Sequence, residues 1–182
     1  AAVQALQHAL PELPLARRSR LVKAYGLPEY DAEILTEERS LSDFFETTLS
    51  AYGGDPKRVS NWIMNDVLRL IRQAGTTASA LDLPPAHLAE IIQLVDSGTI
   101  TAGVGKELLE QARGAEKTPR QMVEERGLAQ VTDTDVLRKA AEKILQANPT
   151  QVESYRAGKV TVLGWFVGQL MRETGGRADA KK

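Results

Sequence analysis

The strongest constraint on this chain is its punctuation. Glycines and proline-led caps divide it into stretches of helical length, and no convincing strand appears between them. Residues 15–25 read as a basic helix stopped by Gly26, and Pro28 opens a second through about residue 38. Ser40 or Ser42 caps a third, which carries Leu41, Phe44, Phe45 and Leu49 and ends at Gly53-Gly54. Asp55-Pro56 is an N-cap and first-turn pair: the carboxylate accepts an orphan N–H, and proline has none to satisfy. It starts residues 57–74, where Val59, Ile63, Val67, Leu70 and Ile71 form an amphipathic stripe ended by Gly75. Pro84-Pro85 opens 86–96, and 101–113 follows with Gly114 beyond it. Thr118-Pro119 starts a short helix ended by Gly127, Thr132 to Asp135 cap 136–147, and Asn148-Pro149 cap another. Gly158 breaks that helix before a final apolar one. The fold predicted is all-α, with two helical bundles joined by the short polar linker Gly114-Ala115-Glu116-Lys117. The domains expected are 1–116 and 117–182.

Charge changes across that linker. Residues 1–117 hold 12 Lys+Arg against 16 Asp+Glu, a balance of −4, whereas 118–182 hold 11 against 8, a balance of +3. The near-neutral whole argues against a strongly nucleic-acid-binding surface, and the basic excess of the second part permits phosphate contact without demanding it. Cysteine is absent, which excludes disulfides and thiolate metal sites and fits a reducing, cytoplasmic setting. The longest apolar run, residues 160–171, is shorter than the about 20 residues that span a bilayer, so no membrane role is expected.

A catalytic reading finds little support. His8 and His87 are far apart and have no metal-ligand spacing, so neither a metal site nor a catalytic residue is assigned. Gly103-Val104-Gly105-Lys106 lacks the full spacing of a phosphate loop and a preceding strand, and fits a helix start instead. The adjacent carboxylates Glu37-Glu38 and Glu124-Glu125 point to different helix faces and read as solvated charge.

Two features invite a ligand. Arg17, Arg20 and Lys23 are spaced three apart and share a face, with a repulsion that an anion would relieve. A solvated face, RNA phosphates and acidic residues of a neighbouring domain are the candidate surroundings. In the apolar run, Gly164 and Gly168 lie four apart and stack on one helix face. Glycine costs a helix interior roughly 0.5–1 kcal/mol against alanine, so two of them imply close approach of another helix or of a ligand. Lys159, Gln169 and Arg172 surround this run with donors suited to phosphates and 2′-hydroxyls.

Gly158-Lys159 and the run Leu163-Gly164-Trp165-Phe166-Val167-Gly168-Gln169-Leu170-Met171-Arg172 resemble the tail domain of the GatB family, in which one subunit of the tRNA-dependent aspartyl/glutamyl amidotransferase carries such a tail. Asn148-Pro149 with Tyr155 and Gly158, and Pro119, Val123, Gly127 and Gln130, are similar to the segments leading into that tail. Leu10-Pro11-Glu12-Leu13-Pro14 and Ser60-Asn61-Trp62-Ile63 resemble the helical domain before it.

The resemblance implies a helical linker domain followed by a YqeY-like tail, together the C-terminal portion of a longer ligase subunit. In the family, a separate cradle domain phosphorylates and amidates a misacylated tRNA, Glu-tRNA(Gln) or Asp-tRNA(Asn). ATP, Mg and glutamine-derived ammonia are implied for the full enzyme, with an amidase A subunit and a small C subunit as partners. The tail contacts tRNA, so this portion is expected to be non-catalytic and to hold no cofactor of its own. The tRNA-binding candidates are Lys159, Gly164, Gly168, Gln169, Arg172 and Arg177. After the methionine the chain departs from the family pattern. It reads Thr174-Gly175-Gly176-Arg177-Ala178-Asp179-Ala180, with Ala180 where the family has a helix-opening proline, so the family's closing helix is expected to be missing. The competing expectation is a helical protein-interaction module without RNA contact.

Overall fold

The computed structural model describes residues 12–130 and 134–178. Among them the chain is helical and forms no strand. The elements are α1 (Pro14–Tyr25), α2 (Glu29–Leu35), α3 (Arg39–Tyr52), α4 (Pro56–Trp62), α5 (Leu68–Ala74), α6 (Pro85–Asp96), α7 (Ala102–Gln111), α8 (Pro119–Arg126), α9 (Thr134–Ala147), α10 (Pro149–Arg156) and α11 (Val162–Glu173). A π-helical turn, Ile63–Val67, joins α4 to α5, and a 3-10 turn, Ala78–Ala80, precedes α6. His8, Leu10 and Pro11, the expected caps Thr132 and Asp133, and Asp179 to Lys182 lie outside the described residues.

The local chemistry explains most boundaries. Asp55 accepts the backbone N–H of Lys57 at 2.9 Å and caps α4. Thr101 caps α7 by accepting from Val104 N–H, which places Gly103 to Lys106 in a helix start. Thr118 and Gln121 form a reciprocal capping box on α8. Gly127 closes that helix at φ +59, a left-handed conformation that a Cβ would strain.

Several boundaries differ from the sequence reading. Helix α3 begins at Arg39 with Glu38 before it, so neither Ser40 nor Ser42 is its cap. Ser42 is instead buried one turn in, where its hydroxyl donates to the Arg39 carbonyl at 2.9 Å. Helix α2 ends at Leu35, where Thr36 bonds back to the Ala32 carbonyl. Residues 57–74 are not one regular α-helix, because the π turn inserts a residue into the ladder. Asn148 makes no side-chain cap to α10 and turns its amide N–H back to the Ile144 carbonyl, closing α9 instead.

The chain divides into two compact units, residues 1–92 and 93–182. The division falls within α6, and the boundary expected at 116/117 lies inside the second unit. In the first unit Phe45, Leu21, Leu35, Val59, Ile63 and Leu88 are inaccessible to solvent. Tyr25 meets Phe45 edge-on with ring centroids 5.8 Å apart. Trp62 is buried in this unit. Asp31 reaches from α2 to α4, accepting from Lys57 Nζ and Ser60 Oγ at 2.7 Å each. In the second unit the Gln130 N–H donates to the Thr99 carbonyl at 2.7 Å. The Thr101 hydroxyl there donates to the Gly176 carbonyl at 2.8 Å.

Two outcomes follow for the first unit. Asp31→Ala leaves the buried Ser60 hydroxyl without its acceptor, and should lower the unfolding free energy by about 1–3 kcal/mol in urea titration. Glu12 is the pH-sensitive group. Hydrogen bonding from Arg20 draws its carboxyl from 4.5 to about 2; partial burial opposes this, and Arg17 adds to the drop. A carboxyl lowered in the folded state stabilises above its unfolded value, and that stabilisation is lost as pH falls through the folded one. Stability measured from pH 5 down to 2 should therefore fall less in Glu12→Gln than in the parent chain.

Candidate nucleic-acid interface

In the second unit, α9, α10 and α11 pack on one another. Helix α11 presents two kinds of surface, and the spacing of its residues explains both. Leu163, Phe166, Val167 and Leu170 recur at intervals of three and four and line an apolar groove, with Ile144 of α9 and Tyr155 of α10 opposite them. Thr161, Gly164, Gly168 and Arg172 recur on a different stripe, which is exposed. A Cβ built on Gly164 or on Gly168 meets no atom within 4 Å. No helix of the described residues occupies the glycine face, so the close approach the glycines permit is open.

The stripe is flanked by groups that suit a polyanion. Arg172 is exposed and its guanidinium makes no ion pair among the described residues. Gln169, Arg172 and Glu173 line a polar groove on the same side of α11, with Lys143 and Asn148 across it. Trp165 stands beside the glycines, 38% exposed, its indole edge-on to Phe166 at 5.2 Å. Lys159 is exposed at the opposite end of the helix. With a rise of 1.5 Å per residue, the Lys159 and Arg172 backbones lie roughly 15–20 Å apart, so they would meet different phosphates of one strand.

Arg177 stands apart from this set. Its guanidinium donates to the Gly127 carbonyl at 2.7 Å and to the Thr174 carbonyl at 3.0 Å, tying the segment after α11 to the end of α8. The structure thus brings Gly164, Gly168, Gln169 and Arg172 together, sets Lys159 at the far end of the same helix, and uses Arg177 within the unit. Sequence reading missed Lys143, Asn148 and Trp165. Trp165 was visible within the motif, whereas Lys143 is thirty residues from Glu173 and has no local signal.

Two members of the basic cluster on α1, Arg17 and Arg20, are occupied. Arg20 donates to Glu12 at 2.8 and 2.6 Å and pairs with Glu46; Arg17 pairs with Asp43 at 2.6 Å and with Glu12 at 3.2 Å. Carboxylates of the same unit relieve the repulsion that the spacing created. Among the described residues no group of three His, Asp or Glu side chains could hold a metal ion, and no helix is long and apolar enough to cross a membrane.

Comparison with known proteins agrees with the motifs. A family model described as the GatB domain matches residues 43–182. The B subunit of the aspartyl/glutamyl-tRNA(Asn/Gln) amidotransferase of Thermosynechococcus vestitus is 44% identical over 172 residues, 94% of this chain and 34% of that protein. Its counterparts from Moorella thermoacetica and Myxococcus xanthus are each 44% identical, over 97% and 98% of this chain and 37% of theirs. The chain therefore spans about a third of the length of the curated relatives it matches. The motifs, the helical architecture and the extent of the family match together make this chain a member of the GatB domain family.

Proposed function

We propose that this chain is the tRNA-recognition and positioning portion of a tRNA-dependent aspartyl/glutamyl amidotransferase. The observation that carries the reading is the open glycine stripe on α11, bordered by Arg172, which makes no ion pair among the described residues. A ribose-phosphate backbone can approach a helix closely only where side chains are absent, and Arg172 and Lys159 supply the cations for its phosphates. The names of the relatives support tRNA as that RNA and a multi-subunit amidotransferase as the setting.

In this reading the chain positions Glu-tRNA(Gln) or Asp-tRNA(Asn) and performs no chemistry itself. Glutamine- and ATP-dependent amidation, with Mg, belongs to the rest of the longer subunit and to its amidase A and small C partners. A cytoplasmic location accords with that role. The apolar groove lined by Leu163, Phe166 and Leu170 supports a second reading, a protein-interaction module. The two readings use different faces of α11, so they can be tested separately.

Filter-binding titration of unfractionated tRNA at two or more salt concentrations tests the RNA reading. Lys159→Ala and Arg172→Ala should each weaken binding and flatten the log–log salt slope by about 0.7–0.9. Unchanged affinity and slope in the double variant would reject these residues as contacts and favour the interaction module. The glycines give a second, opposed pair of outcomes. Gly164→Ala and Gly168→Ala should each raise helix stability by roughly 0.5–1 kcal/mol in thermal melts, because space is free for the methyl group. The same variants should bind tRNA less tightly; a gain in stability with no loss of binding would mean that RNA does not approach there.

A further inference from the structure

We propose that the phosphate-binding surface continues from Arg172 across the groove between α9 and α11, with Lys143 as its second cation and Glu173 as an internal stand-in for RNA phosphate. The proposal rests on the RNA reading above and extends it to a residue pair that the sequence did not bring together. Lys143 Nζ lies 2.5 Å from Glu173 Oε1, and the two side chains are 73% and 45% exposed. An ion pair this open to water contributes about 0–1 kcal/mol, so an incoming phosphate can exchange for the carboxylate. The ammonium has three donors and spends one on Glu173, which leaves two for an entering oxygen.

The surroundings favour RNA as the occupant. Arg172 precedes Glu173 in the chain and lines the same groove. Two cations thus face a single carboxylate there. Asn148 has committed its amide N–H to the Ile144 carbonyl at 2.8 Å, leaving its side-chain oxygen to accept from a 2′-hydroxyl. Gln169 adds a further donor and acceptor on the α11 wall. The groove lies on the Arg172 side of the glycine stripe, so one strand of RNA can cover both. In the free chain Glu173 occupies one donor of Lys143. A polyanion that also engages Arg172 and the glycine face displaces the carboxylate.

Opposite responses of the two partners are the test, because a merely structural pair would respond in one direction. The full chain would be titrated with unfractionated tRNA at low and moderate salt, with folding checked by circular dichroism and thermal melting. Lys143→Ala should weaken binding about two- to fivefold and flatten the salt slope by about 0.7–0.9. Lys143→Arg should retain the parent affinity. Glu173→Gln should tighten binding about two- to fivefold, since it frees Lys143 and removes a repelling charge. If both neutralising variants only lower the melting temperature and leave affinity and slope unchanged, the pair is structural and the proposal is overturned. Should that happen while Arg172→Ala still flattens the slope, the RNA reading stands and only this extension fails. Absence of any salt-dependent binding by the parent chain would overturn both.

Discussion

The seating of α11 on α9 and α10 governs what the second unit can present. Phe166 and Leu170, half-buried, line the groove shared with α9 and α10 and set the rotation of α11 about its axis. That rotation carries Gly164, Gly168 and Arg172 to the exposed side. Two glycines in a helix are a stability cost with no packing return here, because no atom fills the space beside them. A cost carried on an open face, next to a cation with no ion pair among the described residues, is the arrangement expected of a surface that a backbone must approach closely.

The fate of the cations separates the two units. Arg17 and Arg20 form the denser cluster in sequence, yet they are held by Glu12, Asp43 and Glu46. Their pairs with Asp43 and Glu46 tie α1 to α3, and their hydrogen bonds to Glu12, those of Arg20 first, hold its carboxyl at about 2. Arg172 and Lys159 are sparser but have no carboxylate partner among the described residues. Availability, more than density, decides which basic residues can meet a polyanion, because a cation already paired must first lose its partner. Lys143 is the intermediate case: paired, but to one exposed carboxylate.

Much of the fold was legible because the signals were local. Asp55-Pro56, Thr118-Pro119, Gly26, Gly75 and Gly127 act within one turn of themselves, and each helix end they predicted is present. The failures have tertiary or competing local causes. Ser42 looked like a cap, but a buried place facing Arg17 put it inside α3. Asn148 had two helices to serve and bonded to the earlier one. The π turn at Ile63–Val67 sits within a stripe whose spacing also fits a regular α-helix, so periodicity alone did not reveal it. At the candidate interface, the members carried by α11 were readable as one motif. Lys143 was not, because only the packing of α9 on α11 places it beside Glu173.

Hydrogen–deuterium exchange of the chain with and without tRNA tests the central claim most directly. The α11 surface predicts that tRNA slows exchange in peptides covering residues 159–173, with the α1 peptide carrying Arg17 and Arg20 unchanged. Protection centred on α1, or no protection over 159–173 at concentrations where tRNA is bound, would contradict the assignment of RNA contact to the open face of α11.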